Sequence, residues 1–187
     1  MAHEGATTAL VVIDAQQEYF APDGRLPLPE GPRAVERIAR ALAWARRVGV
    51  PLFHVVHESR RPGATLFAPG SPGLAIHPMA GPAPGEPVVQ KHLPGAFTGT
   101  DLEALLRARG VTRLVLAGFM TQMCVDTTAR QAAHLGFRVT VLADATAAMD
   151  VRAPDGQVIP HDQVHRTHLG SLSGFIAEIA RVGDLGG

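Results

Sequence analysis

Three residues of this 187-residue chain have the types needed for nucleophilic acyl transfer: Asp14, Lys91 and Cys124. Cys124 is its single cysteine. A free thiol ionises near ~8.5 and becomes an effective nucleophile when a neighbour removes its proton or stabilises the thiolate. Asp14 is an acid that can take that proton and later deliver it to a leaving amine, while Lys91 supplies a fixed positive charge. The competing reading is structural, because free cysteine is among the most buried residue types and packs as a small hydrophobe. The choice depends on whether the chain brings the three residues together.

The elements that would position them are legible as apolar runs. Residues 8–13, TALVVI, are continuously apolar and rich in β-branched side chains, the pattern of a strand covered on both faces, and the run ends at Asp14. Residues 51–57 and 87–90 read the same way, the second ending at Lys91, and 113–117 and 138–142 complete five strands. Between them lie helical patterns. Over 32–48, Val35, Ile38, Leu42 and Ala45 recur at helical spacing, with Pro32 suited to the first turn and Gly49 to the C-cap. Trp44 on this helix is expected to pack. Residues 101–109 predict a helix with Thr100 as N-cap and Gly110 as stop; 124–135 predict one that Cys124 begins and Gly136 closes. Residues 161–180 predict a closing helix.

Strands alternating with helices imply a mostly parallel sheet wrapped by helices, a three-layer α/β/α domain spanning 1–187. Ligands of such sheets bind outside the carboxyl ends of the strands. Asp14, Lys91 and Cys124 all fall on that edge. At a helix start the free N–H groups would favour a thiolate and bind the oxyanion of a tetrahedral intermediate. Residues 58–86, rich in Pro and Gly, are expected to form a lid or pocket wall.

Composition narrows the partners. With 46% hydrophobic residues the chain can fill one core, and 17 basic residues balance 17 acidic ones. A net charge of zero removes the main argument for nucleic acid as partner. No window approaches the ~18 apolar residues of a membrane span, and one cysteine cannot form an internal disulfide. The expectation is a soluble, cytoplasmic protein acting on a small molecule.

Three motifs carry a resemblance: VIDAQ at 12–16 followed by Tyr19-Phe20, KHLPGAF at 91–97, and GFMTQMCV at 118–125. In this order and at these strand ends the chain resembles the cysteine hydrolases of the isochorismatase-like superfamily, in the metal-free branch near streptothricin hydrolase. The resemblance implies that Asp14 is the general base, Lys91 the cation and Cys124 the nucleophile. It also implies a cis peptide between Phe119 and Met120, which would turn the Met120 N–H towards that of Cys124 to make an oxyanion hole. Gln16, Tyr19, Phe20, His92 and Phe97 are implied pocket neighbours, and the family's habit of forming dimers or tetramers implies a homo-oligomer.

Two departures refine this. Nicotinamidases of the superfamily carry a metal on an Asp-x-His motif after the second strand, where this chain has His57-Glu58-Ser59. His54 and His57 are three apart on a strand and point to opposite faces. No metal and no cofactor are therefore expected. His161 and His165, four apart with His168 one turn on, have spacing fit for a metal pair but read as a helix face. His77 reads equally as pocket or surface. Isochorismatases themselves cleave a vinyl ether without the cysteine, so Cys124 favours a carbonyl substrate. C–N hydrolysis of an amide, ureido or lactam compound through a thioester is the leading reaction. The alternatives are ether or ester hydrolysis by Asp14 and Lys91 without the thiol, and a non-enzymatic binding or redox-sensing domain.

Overall fold

In a computed structural model, which describes residues 7–22 and 24–186, six parallel strands form the central sheet in the order β3-β2-β1-β4-β5-β8. The elements are β1 (Thr7–Ile13), α1 (Gly31–Val48), β2 (Leu52–His57), β3 (Val88–Lys91), α2 (Leu102–Ala108), β4 (Val111–Phe119), α3 (Asp126–His134), β5 (Arg138–Ala147), a small antiparallel hairpin β6 (Val151–Arg152) and β7 (Val158–Ile159), α4 (His161–Leu172) and β8 (Glu178–Ala180). None of the described helices is long and apolar enough to cross a membrane.

The continuous apolar runs are explained by layers on both faces of the sheet. Along β1, Ala9, Val11 and Ile13 join a core with α2, α3 and α4, while Leu10 and Val12 join a second core with α1. β4 divides likewise, Leu114 and Leu116 to one side and Val115, Ala117 and Phe119 to the other. Period-2 alternation thus distributes side chains between two dry layers, so no polar face appears in the sequence. α1 buries Ala34, Val35, Ile38, Ala41, Leu42 and Ala45, and Gly49 closes it in the left-handed region at φ 73°.

Three expectations are corrected. The closing helix stops at Leu172; Ser173 leaves helical geometry, Gly174 turns at φ 84°, and Glu178–Ala180 adds a sixth parallel strand against β5. Residues 176–180 are short and apolar, a pattern that periodicity cannot divide between buried helix and edge strand. Cys124 does not begin α3. It lies in a π-helical turn, Thr121–Val125, that runs directly into α3 at Asp126, so helical geometry begins three residues before the cysteine. Asp101, not Thr100, is the N-cap of α2, although Thr100 Oγ1 accepts the Leu102 N–H at 3.4 Å.

Candidate active site

The carboxyl edge of the sheet brings Asp14, Lys91 and Cys124 into contact. Asp14 follows β1 with φ 50°, a left-handed conformation that aspartate tolerates better than most residues, and its N–H binds Val55 O at 2.8 Å. On β4, Gly118 pairs with Ile13, the residue before Asp14, and has φ 116°, where a Cβ would collide with the Ile13 carbonyl. Glycine there lets the two backbones close beneath the site. Lys91 ends β3, two strands from β1, so its side chain crosses the end of β2 to reach Asp14. The peptide between Phe119 and Met120 is cis, and the turn after it carries Cys124.

Lys91 Nζ lies 2.8 Å from Asp14 Oδ2, with both side chains fully buried. This contact falls outside hydrogen-bonding angles, and neither Asp14 oxygen has a hydrogen-bond partner. The ammonium donates instead to Cys124 Sγ at 3.2 Å, to Leu93 O at 3.2 Å and to His57 Nδ1 at 3.3 Å. Its three protons are therefore all engaged.

The charges follow from these contacts. Burial raises the Asp14 carboxyl above the ordinary aspartate value, with Lys91 pulling the other way. Burial opposes the Lys91 ammonium too, but the Asp14 and Cys124 charges outweigh it and hold its pKa above the usual lysine value. Burial first, and then the Asp14 charge, push the Cys124 thiol well up. Both effects oppose ionisation of the thiol.

Above Cys124 opens a cavity of about 1070 Å³, lined by Tyr19, Leu26, His57, residues 59–67, residues 92–94, Met120, Met123 and Cys124. The Pro/Gly-rich segment supplies one wall through 59–67, with Phe67 buried edge-on to Tyr19 at 5.3 Å. Arg60 and Arg61 are on that wall, and no carboxylate among the described residues lines the cavity.

Of the expected pocket neighbours, Tyr19 and His92 line the cavity; Gln16, Phe20 and Phe97 stand outside it. Gln16 is buried and clamps the β2 end, Oε1 accepting the His57 N–H at 2.7 Å and Nε2 donating to His57 O at 2.9 Å. Phe20 packs on Phe119 and His77, and Phe97 stacks on Phe137 in the core. His77 Nδ1 accepts the Met79 N–H and does not line the cavity. His161, His165 and His168 turn to three different partners, Asp150, Thr121 and Asp126, so they are not grouped around a common point. His54 and His57 point apart, His54 to Glu86 and His57 to Lys91.

Sequence reasoning missed His57 as a site residue. It ends β2 in register with Lys91, and that shared position on the edge holding Asp14 was the available signal.

Comparisons with known proteins bear on the family and the fold. The Isochorismatase domain model matches residues 8–178. Streptothricin hydrolase of Streptomyces noursei is 40% identical over 148 residues, 79% of this chain and 52% of that protein. Ureidoacrylate amidohydrolase of Methylobacterium radiotolerans is 33% identical, covering 97% of this chain and 79% of its own length. The crystal structure of an isochorismatase hydrolase from Oleispira antarctica superposes with a TM-score of 0.90 at 38% identity, covering 99% of this chain and 98% of that one. With the family model matched over nearly its whole length, and the three-layer fold shared with that crystal structure, the chain belongs to the isochorismatase family of hydrolases.

Proposed function

We propose that this protein is a metal-independent cysteine amidohydrolase that cleaves a C–N bond of a small amide, ureido or lactam substrate. The observation that carries the reading is the division of labour around Lys91. Its three protons go to Cys124, Leu93 and His57, leaving Asp14 close, charged and without a directed hydrogen bond. A carboxylate with open lone pairs and a raised pKa is a competent proton acceptor.

The reaction then runs in two halves. As Sγ attacks the substrate carbonyl, the S–H proton passes to Asp14 and the C–S bond forms. The oxyanion is held by the N–H groups of Met120 and Cys124. Asp14 returns the proton to the nitrogen, the C–N bond breaks and an amine or ammonia leaves. Water next attacks the thioester, giving its proton to Asp14; the C–S bond breaks and the proton restores the thiol. Lys91 stays protonated throughout and stabilises negative charge on the sulfur. The named amidohydrolase among the relatives supports the reaction class. An apolar cavity with arginines on one wall suits a small neutral or anionic substrate.

The test is a screen of small primary amides, ureido acids and lactams in the presence of a chelator, scored by amine release. Turnover that disappears in Cys124→Ala is expected. Turnover retained by that variant would refute the thioester route and favour ether or ester hydrolysis by Asp14 and Lys91 alone.

A further inference from the structure

The hydrogen bonds at the ends of β2 and β3 assign opposite tautomers to two histidines of the cavity wall. Lys91 is an ammonium and has no lone pair, so His57 Nδ1, 3.3 Å from Nζ, is the acceptor. The ring proton of neutral His57 is therefore on Nε2. One residue on, the Glu58 N–H binds Lys91 O at 3.0 Å, and His92 Nδ1 lies 2.8 Å from Glu58 O. A carbonyl oxygen only accepts, so His92 Nδ1 carries a proton, and in a ring that holds only this proton Nε2 is an acceptor.

Both rings line the cavity above Cys124. Among the described residues neither Nε2 has a hydrogen-bond partner, and neither is among the buried unpaired polar atoms, so both are accessible. The placement of His57 is rigid. Gln16 clamps its backbone on both sides, and the Phe67 ring meets it at 5.1 Å with an interplanar angle of 90°. Burial, with the Lys91 charge next, lowers the His57 pKa to about 4, so the ring is neutral at pH 7. The cavity thus presents one N–H donor and one nitrogen acceptor from side chains anchored to each other's strands.

We propose that His57 and His92 form a donor–acceptor pair that binds a second amide-like group of the substrate, beyond the scissile carbonyl. His57 Nε2–H donates to the oxygen of that group, and His92 Nε2 accepts from its N–H. The inference rests on the amidohydrolase reading and narrows its substrates to those carrying such a group next to the reacting carbon. A simple ester, ether or hydrocarbon amide cannot satisfy both nitrogens.

Alkylation of Cys124 tests this without turnover. In iodoacetamide the methylene takes the place of the attacked carbon and the carboxamide that of the second group. The C–S bond forms, iodide leaves and the thiol proton passes to Asp14. We expect wild type to prefer iodoacetamide over 2-iodo-N,N-dimethylacetamide by about tenfold more than N-acetylcysteine does, the worth of one hydrogen bond to His92. His57→Asn keeps an acceptor for Lys91 but has no donor at Nε2, and should react about tenfold more slowly with iodoacetamide. His57→Gln places an N–H near that position and should stay within about threefold of wild type. The reverse order, Asn harmless and Gln slow, would overturn the proposal and leave His57 as support for Lys91.

Imidazole nitrogen NMR of the unmodified protein provides a check that needs no variant. A protonated Nε2 on His57 and a protonated Nδ1 on His92 are expected; the opposite tautomer on either overturns the pair. If no amide is hydrolysed while these signatures hold, the amidohydrolase reading fails and the binding pair stands. If amides are hydrolysed but wild type shows only the solution preference, the pair fails alone.

Discussion

Of the carboxylates that lie beside a cation, Glu86 and Asp14 titrate in opposite directions. Glu86 accepts from Arg46 Nε at 2.8 Å and Nη2 at 2.9 Å, from the Ala83 N–H at 2.8 Å and from His54 Nε2 at 3.0 Å. The Arg46 hydrogen bonds outweigh desolvation and bring its pKa down to about 2. Asp14 is as close to Lys91 as Glu86 is to Arg46, yet it accepts no directed hydrogen bond and burial holds its pKa up. A nearby charge is common to both. What differs is whether the lone pairs are occupied, since a fully bonded carboxylate is a fastener and an open one can take a proton. Arg46 also reaches Gly81 O, so the Glu86 cluster ties the 81–86 segment to α1.

The largest expected effect comes from removing the open carboxylate. Asp14→Asn should lower amide turnover by about 10²–10⁴-fold, the usual worth of a general base. Initial rates against wild type measure it, and a loss below tenfold would erase the contrast with Glu86. The matching change, Glu86→Gln, should leave kcat/KM unchanged and cost about 1–2 kcal/mol of stability through weakened charge-assisted hydrogen bonds. Urea denaturation reads that cost; a fall in activity at constant stability would show that the cluster reaches the site.

The remaining predictions concern pH. Turnover requires Asp14 ionised, so kcat/KM should fall on acidification with a limb above the ordinary aspartate range, shared as a macroscopic value with Lys91 and Cys124. A limb below pH 3.8, the ordinary aspartate value, would contradict the burial effect. Glu86 acts in the opposite sense. Its folded pKa is depressed, so its stabilisation is complete above its ordinary value of 4.5 and is lost as pH falls from there towards 2. The midpoint of urea denaturation should drop over that window in wild type and drop less in Glu86→Gln.

The sheet and its edge were readable because buried parallel strands leave continuous apolar runs, and Asp14 and Lys91 are the polar residues that terminate two of them. Cys124 falls on the expected edge and in helical geometry, but the helix begins earlier, at Thr121, because apolar periodicity does not mark where a π-helical first turn starts. β8 was hidden for a related reason: Ile176 and Ile179 fit either a helical stripe or a short edge strand, and only the Gly174 turn decides. His57 reads from the sequence only as half of a histidine pair facing opposite ways on a strand, because its contact with Lys91, which reaches across β2, depends on the strand order. The Glu86 cluster was illegible for the same cause, joining residues 46, 54 and 86 from a helix, a strand and a loop.

The most direct measurement is the intact mass of the protein, acid-quenched during turnover of an amide found in the screen. The account predicts a fraction of the enzyme heavier by the acyl group, with the added mass mapping to the peptide that contains Cys124 and absent from Cys124→Ala. Turnover with Cys124 unmodified at every time point, and persisting in Cys124→Ala, would contradict it.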